Sequence, residues 1–108
     1  MKIIYNKWIP VKGFTAINIF GLICARKEKK PLSPETIHHE LIHTAQIRET
    51  LFVPFYIIYG IHFVILLVKK RHWLEAYRNV CFEKEAYYFE CEKRYLECRN
   101  PYCWITYL

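Results

Sequence analysis

Between Leu51 and Val68 the chain reads "LFVPFYIIYGIHFVILLV", 18 residues in which His62 is the only ionisable side chain apart from the tyrosine hydroxyls. By length and composition this is a candidate transmembrane helix, and Pro54 and Gly60 are tolerated in one. A chain of 108 residues supports one domain, so everything on either side of this segment has to be arranged around it.

The residues before it carry chemistry. "SPETIHHELIHTAQIRE", Ser33 to Glu49, opens as a helix should: Ser33 suits the N-cap, Pro34 the first helical position, and Glu35 the positive end of the helix dipole. Ile37, Leu41, Ala45 and Ile47 are expected to form its buried stripe. Positions i and i+4 lie above one another, so His39 and His43 can aim two imidazole nitrogens at one point, as a tetrahedral zinc ion requires. Glu40, beside the first of them, can reach a water on that ion and take its proton as the water attacks a carbonyl. A His-Glu-x-x-His match arises by accident roughly 0.02 times in a chain of this composition. His38 lies about 100° round the helix from His39 and is expected to be exposed.

Catalytic zinc normally keeps three protein ligands and a water. Candidates for the third are Glu83 and Glu85 in "NVCFEKEAYYFE". Two residues apart on a helix, they point about 160° away from each other, so at most one can serve. His62, His72, Tyr87, Tyr88 and Tyr95 are candidates to stabilise an oxyanion, and spacing does not choose among them.

His-Glu-x-x-His followed 30 to 60 residues later by a helix carrying Glu-x-x-Ala-Asp is the pattern of the gluzincin metallopeptidases. "HHELIH" with "EKEAY", Glu83 to Tyr87, resembles it from Pro10 to about Glu90, closest to minimal gluzincin-like domains of unassigned substrate. The resemblance implies one zinc ion held by His39, His43 and Glu83, with Glu40 as general base and Glu85 on the other side of its helix. Gln46 completes a His-x-x-Gln that is similar to small zincin-like proteins of this size. Tyr87 departs from the pattern: the family has an Asp there, accepting a hydrogen bond from a ligand histidine. Tyr can hydrogen-bond but brings no charge. The family's upstream strand rims the cleft, which gives "FTAINIFGL" a role as a template for an extended substrate; plain sheet core is the other reading.

Three ligands around one ion constrain the apolar segment. A single membrane crossing by Leu51 to Val68 would leave His43 and Glu83 on opposite sides of the bilayer. A hairpin avoids this, running out about 24 Å from Pro54 to Lys69 and back about 18 Å from His72 to Glu83. The expectation adopted is a central helix covered on every side, completed by a partner subunit or membrane contact. The other arrangement is a hairpin dipping into a membrane surface with "KKRH" at its tip.

Composition narrows the partners. The chain has 16 Lys+Arg against 10 acidic residues, all Glu, for a net charge of +6. The cations are thinly spread except in "RKEKK" (Arg26 to Lys30) and "KKRH" (Lys69 to His72), each bordering an apolar segment. No nucleic-acid-binding module is legible, so nucleic acid is not expected as a partner. Five cysteines without a Cys-x-x-Cys pair argue for free thiols in a reducing, cytoplasmic setting. Lys7 and Lys12 interrupt the N-terminal apolar residues, so no signal peptide is expected.

The expected architecture is α+β in a single zincin-like domain, 1–108. It comprises a β-rich rim over 1–30, with Gly13 as a turn and Gly21 as a bulge, then an active-site helix over 33–50. An apolar helix over 51–69 and a glutamate helix over 73–99 form a hairpin. The glutamate helix carries a stripe of Phe82, Ala86, Phe89 and Leu96. The functional expectation is a zinc-dependent metallopeptidase acting on a peptide or protein. The alternative is a non-catalytic metal-binding or membrane-associated interaction module, docking a membrane surface or a second copy through 51–68.

Overall fold

The computed structural model describes residues 3–8 and 14–108, so the turn expected at Gly13 lies outside the described residues. The fold is α+β, with five helices and one three-stranded sheet among the described residues. Strands β1 (Ile3–Asn6), β2 (Ala16–Ile19) and β3 (Leu22–Arg26) lie in the order β1-β3-β2, with β1 parallel and β2 antiparallel to β3. "FTAINIFGLICAR" is thus a hairpin. Its two corner residues, Phe20 and Gly21, have φ of 51° and 94°, the double positive φ that matches strand twist in a two-residue turn. Gly21 is therefore a corner of the turn, where the sequence suggested a bulge.

Ile23 and Ala25, on one face of the central strand, are fully buried against Leu32 and the half-buried Ile37. Helix α1 (Pro34–Glu49) starts as expected, with Ser33 Oγ accepting from the Thr36 amide at 3.1 Å. Its buried residues, however, are His39, Glu40, Ile42, His43, Gln46 and Ile47. Leu41 and Ala45 are only half-buried, because the face turned inward is the polar one.

After α1 the chain reverses within three residues into α2 (Val53–Lys70). The Phe52 amide donates to Ile47 O at 2.8 Å and the Leu51 amide to Arg48 O at 3.2 Å, closing the end of α1 in a Schellman motif. Leu51 occupies the left-handed position at φ 64°, and Phe52, at φ 74° and ψ −84°, centres a γ-turn closed by Val53 N to Leu51 O. Pro54 stands in the first turn of α2 and introduces no kink.

The described chain by itself does not cover α2 on every side. Phe55 is its only buried residue, and Val53, Ile57, Ile61, Val64, Ile65 and Val68 are all exposed. Among the described residues, α1 and the segment after α2 cover one side only.

That following segment is also not one helix. It breaks into α3 (Trp73–Asn79), α4 (Cys81–Phe89) and α5 (Tyr95–Cys98), ending in a 3-10 stretch, Cys103–Tyr107. Val80 is extended, at φ −57° and ψ 135°, and completely buried. The break costs little because His62 Nδ1 on α2 accepts the Cys81 amide at 3.1 Å, satisfying the first donor of α4. It lets α3 lie along α2 while α4 turns Val80, Cys81 and Phe82 into a core with Ile47, Phe55 and Trp104. Phe82 and Ala86 are buried, whereas Phe89 and Leu96 are half-buried.

The left-handed Leu51 is one of two strained backbone positions at the α1–α2 corner, beside the γ-turn at Phe52. The Leu51 side chain is 78% exposed, so Leu51→Gly is expected to raise unfolding free energy by about 0.5–1 kcal/mol. Leu51→Ala, which keeps the Cβ, should give no such gain. Urea titration of the three proteins measures this, and an unchanged midpoint for the Gly variant would show that the corner stores no strain.

Candidate metal centre

α1 and α4 face each other with their polar residues between them. His39 Nε2 lies 3.0 Å from Glu83 Oε1, His43 Nε2 lies 3.1 Å from the same oxygen, and the two Nε2 atoms are 3.2 Å apart. All three residues are buried. Glu83 thus meets the histidines, while Glu85 points the other way.

The hydrogen bonds behind His43 decide what its Nε2 carries. Gln46 Nε2 donates to Phe82 O at 3.1 Å and to Glu85 Oε1 at 3.0 Å, so Gln46 Oε1 is the atom 2.7 Å from His43 Nδ1. That oxygen only accepts; Nδ1 therefore holds the proton, and the neutral ring presents a lone pair at Nε2. His39 Nδ1 faces Glu90 Oε1 at 3.6 Å, a longer contact of the same sense. Two imidazole lone pairs and a carboxylate oxygen consequently meet in one small triangle. Such a triangle repels itself unless a proton or a metal cation sits in it. Zinc with bonds of about 2.0–2.2 Å spaces tetrahedral ligands about 3.3–3.6 Å apart, so this donor set fits the ion after opening by a few tenths of an ångström.

Electrostatics report the same demand for positive charge. Burial works against an imidazolium at His43, but Glu83, Glu40 and the Gln46 hydrogen bond more than offset it and lift the ring to about 9. Glu83 is held well below the usual carboxylate range: burial opposes its charge, and His43 and His39 outweigh burial. Glu40 goes the other way, pushed up by burial and only partly relieved by the two histidines. Its Oε1 is buried without a hydrogen-bond partner, and its ligand atom lies within 4.8 Å of those of His39 and His43.

Each of these groups is held from a second element. Asn18 on β2 donates through Nδ2 to Glu40 O at 2.8 Å and to Thr44 Oγ1 at 2.7 Å, while its Oδ1 accepts the Gly21 amide. Tyr59 on α2 donates to Glu83 Oε2 at 2.7 Å. Glu85, fully buried, takes Arg99 as a short ion pair, and Arg99 also makes a two-point contact with Glu49 at 2.7 and 3.0 Å. Tyr95 Oη donates to Glu85 Oε2 at 2.7 Å. An arginine therefore anchors Glu85, which fixes Gln46, which fixes His43.

Tyr87 sets its ring edge-on to His39, centroids 4.5 Å apart, with Arg78 over it at 4.9 Å. The carboxylate nearest His39 Nδ1 on that side is that of Glu90, three residues after Tyr87, at 3.6 Å. His38 is not exposed: its Nδ1 bonds Glu90 O at 3.0 Å, because the end of α4 packs across α1. Of the oxyanion candidates, His62 caps α4 and Tyr95 is committed to Glu85, while His72 and Tyr88 are exposed. The phenols facing the site are Tyr56, Tyr59 and Tyr77, which sequence spacing did not single out. They line a cavity of about 530 Å³ together with Glu40, His43 and Glu83 and with Phe14, Ile17, Phe63 and Trp73. Set against family models, curated proteins and solved structures, the chain matches none.

The His43 shift fixes a pH dependence for the metal-free chain. Its folded value, about 9, exceeds the ordinary 6.5, so the stabilisation is complete below pH 6.5 and is lost as pH rises through 9. In a chelator, unfolding free energy should fall by up to about 3 kcal/mol across that window. His43→Gln should flatten the profile. Denaturant midpoints as a function of pH measure it, and equal slopes in parent and variant would contradict the assignment.

Proposed function

We propose that this chain is a zinc-dependent metallopeptidase of the gluzincin type, with His39, His43 and Glu83 as metal ligands and Glu40 as general base. One juxtaposition supports the reading: a buried triangle of three lone-pair donors stands beside an unpartnered buried carboxylate oxygen, and His43, Glu83 and Glu40 all line one cavity. When bound, zinc supplies a water acidified towards neutral pH and a Lewis acid for the scissile carbonyl. Glu40 accepts the proton of the attacking water at Oε1 and delivers it to the leaving nitrogen. Burial raises its proton affinity towards the range that such a shuttle needs. Gln46 keeps the Nδ1 proton on His43, and the Glu90 carboxylate 3.6 Å from His39 Nδ1 favours the same tautomer there, leaving both Nε2 atoms for the ion.

The cavity selects for apolar groups. Phe14, Ile17, Phe55, Phe63 and Trp73 line it, so the preferred substrate is a peptide with a large apolar side chain next to the scissile bond. Strand β2 stands at the rim, paired with β3 on one side among the described residues. An extended peptide can add to its other edge at Ala16, next to Asn18 O, which already accepts from Tyr56 Oη at 3.1 Å.

Zinc per chain, measured by elemental analysis of protein purified without added metal, tests the ligand set. The parent should carry about one zinc and Glu83→Ala should lose it. Glu40→Gln should keep the metal and lose about 10²–10⁴-fold of peptide hydrolysis. Zinc without hydrolysis of any apolar peptide by the parent would make this a non-catalytic metal-binding module. A parent that takes up no zinc would sink both readings.

A further inference from the structure

The exposed face of α2 is the largest feature that the metal centre does not use. Val53, Ile57, Ile61, Val64, Ile65 and Val68 are each 48–72% exposed. At 100° per residue they cover an arc of about 120° along the whole helix. Leu51, Phe52 and Phe20 extend the patch beyond its first turn, with the Phe20 and Phe52 rings 6.1 Å apart. Stripes this long and uninterrupted are not ordinary surface.

Charge says what covers it. α2 contains no acidic residue and ends in Lys69 and Lys70, followed by Arg71. Among the described residues, none of these three makes an ion pair with a carboxylate. A second copy is a poor match. Antiparallel pairing of α2 with itself lays the three cations over Leu51–Val53, where there is no carboxylate, and parallel pairing sets cation against cation. A bilayer with anionic headgroups offers both halves of the complement, acyl chains for the stripe and phosphates for its basic end. Exposed Trp73, just past the basic end at 52% exposure, has the side chain favoured at that depth.

We infer that α2 is an interfacial docking helix, lying in the plane of an anionic lipid surface with Val53 to Val68 in the acyl boundary and Lys69, Lys70 and Arg71 among the headgroups. It lies flat because its opposite face is occupied: Phe55 is in the core and Tyr59 holds Glu83. A crossing would release both. This inference does not depend on the metal or on catalysis.

The full-length protein is mixed with phosphatidylcholine vesicles, with and without phosphatidylglycerol, and the bound fraction is read by sedimentation. Tight, salt-sensitive binding is expected only to the anionic vesicles. Ile61→Glu or Val64→Glu should weaken it about tenfold or more. The double change Lys69→Gln/Lys70→Gln should weaken it roughly 25-fold. Ile105→Glu, equally exposed on the 3-10 stretch, should change nothing. Circular dichroism melts confirm that each variant folds, which the exposure of the substituted side chains favours. Two results overturn the inference. One is a monomeric parent that ignores both vesicle types. The other is a parent that dimerises in solution, loses the dimer on Ile61→Glu, and binds no vesicles; a second copy would then be what covers the stripe.

Discussion

The interaction on which this structure depends is the meeting of His39, His43 and Glu83 through atoms 3.0–3.2 Å apart in the protein interior. Unpaired buried charges cost several kcal/mol each, against a total stability of roughly 5–15 kcal/mol for a domain. A chain of this size cannot leave such a cluster unbalanced. Most of the remaining polar architecture serves that balance. Arg99 neutralises Glu85 and Glu49, Gln46 bridges Glu85 to His43, and Tyr59 satisfies the second oxygen of Glu83. Glu40 alone of these carboxylates keeps an unpartnered buried oxygen, and the residue stands in the lining of the cavity. A buried carboxylate oxygen left without a partner beside the satisfied Glu83 and Glu85 is the pattern of a group reserved for something that comes and goes. His38 Nε2 and Trp104 Nε1 are the other unpartnered buried side-chain atoms among the described residues.

The sequence makes part of this arrangement legible. Helical spacing alone puts His39 above His43, and the Ser33-Pro34-Glu35 start locates α1 to within a residue. The polarity of α1's buried face was hidden because apolar periodicity was taken as the guide: Ile37, Leu41 and Ala45 look like a stripe until the histidines claim the inside. Glu90 had a readable signal. It stands seven residues after Glu83, two turns on and on the same face, where a carboxylate can make up for Tyr87. Arg99 had none, since its meeting with Glu49 and Glu85 depends on the path of the chain after α4 breaks.

That break shows why a continuous helix over 73–99 was the wrong expectation. Local propensity carries a helix through Val80 with little penalty. Tertiary packing favours a bend there, because Phe82 reaches the Ile47 and Trp104 core only if α4 leaves the line of α3. His62, isolated within an apolar run, supplies the missing acceptor from the neighbouring helix. A lone histidine in such a segment is explained by backbone accounting rather than by chemistry on a substrate.

α2 then joins two demands that are usually kept apart. Tyr56, Tyr59, Gly60 and Phe63 give one side of the helix to the cavity, and the aliphatic stripe occupies the adjoining side, with Gly60 at the seam. A fully apolar helix would have been cheap to bury in a larger protein. Here it remains half-dressed, and the same rigid rod that presents the stripe outward holds Glu83 through Tyr59 on the inside. Any surface that takes up the stripe therefore fixes the orientation of the cavity with respect to itself. The cavity lining reaches solvent at Trp8, Ile17, Gly60 and Trp73, the last of these beside the basic end of α2. On an anionic bilayer its opening would stand near headgroup level, and segments emerging from that bilayer would be the first extended peptides to meet Glu40.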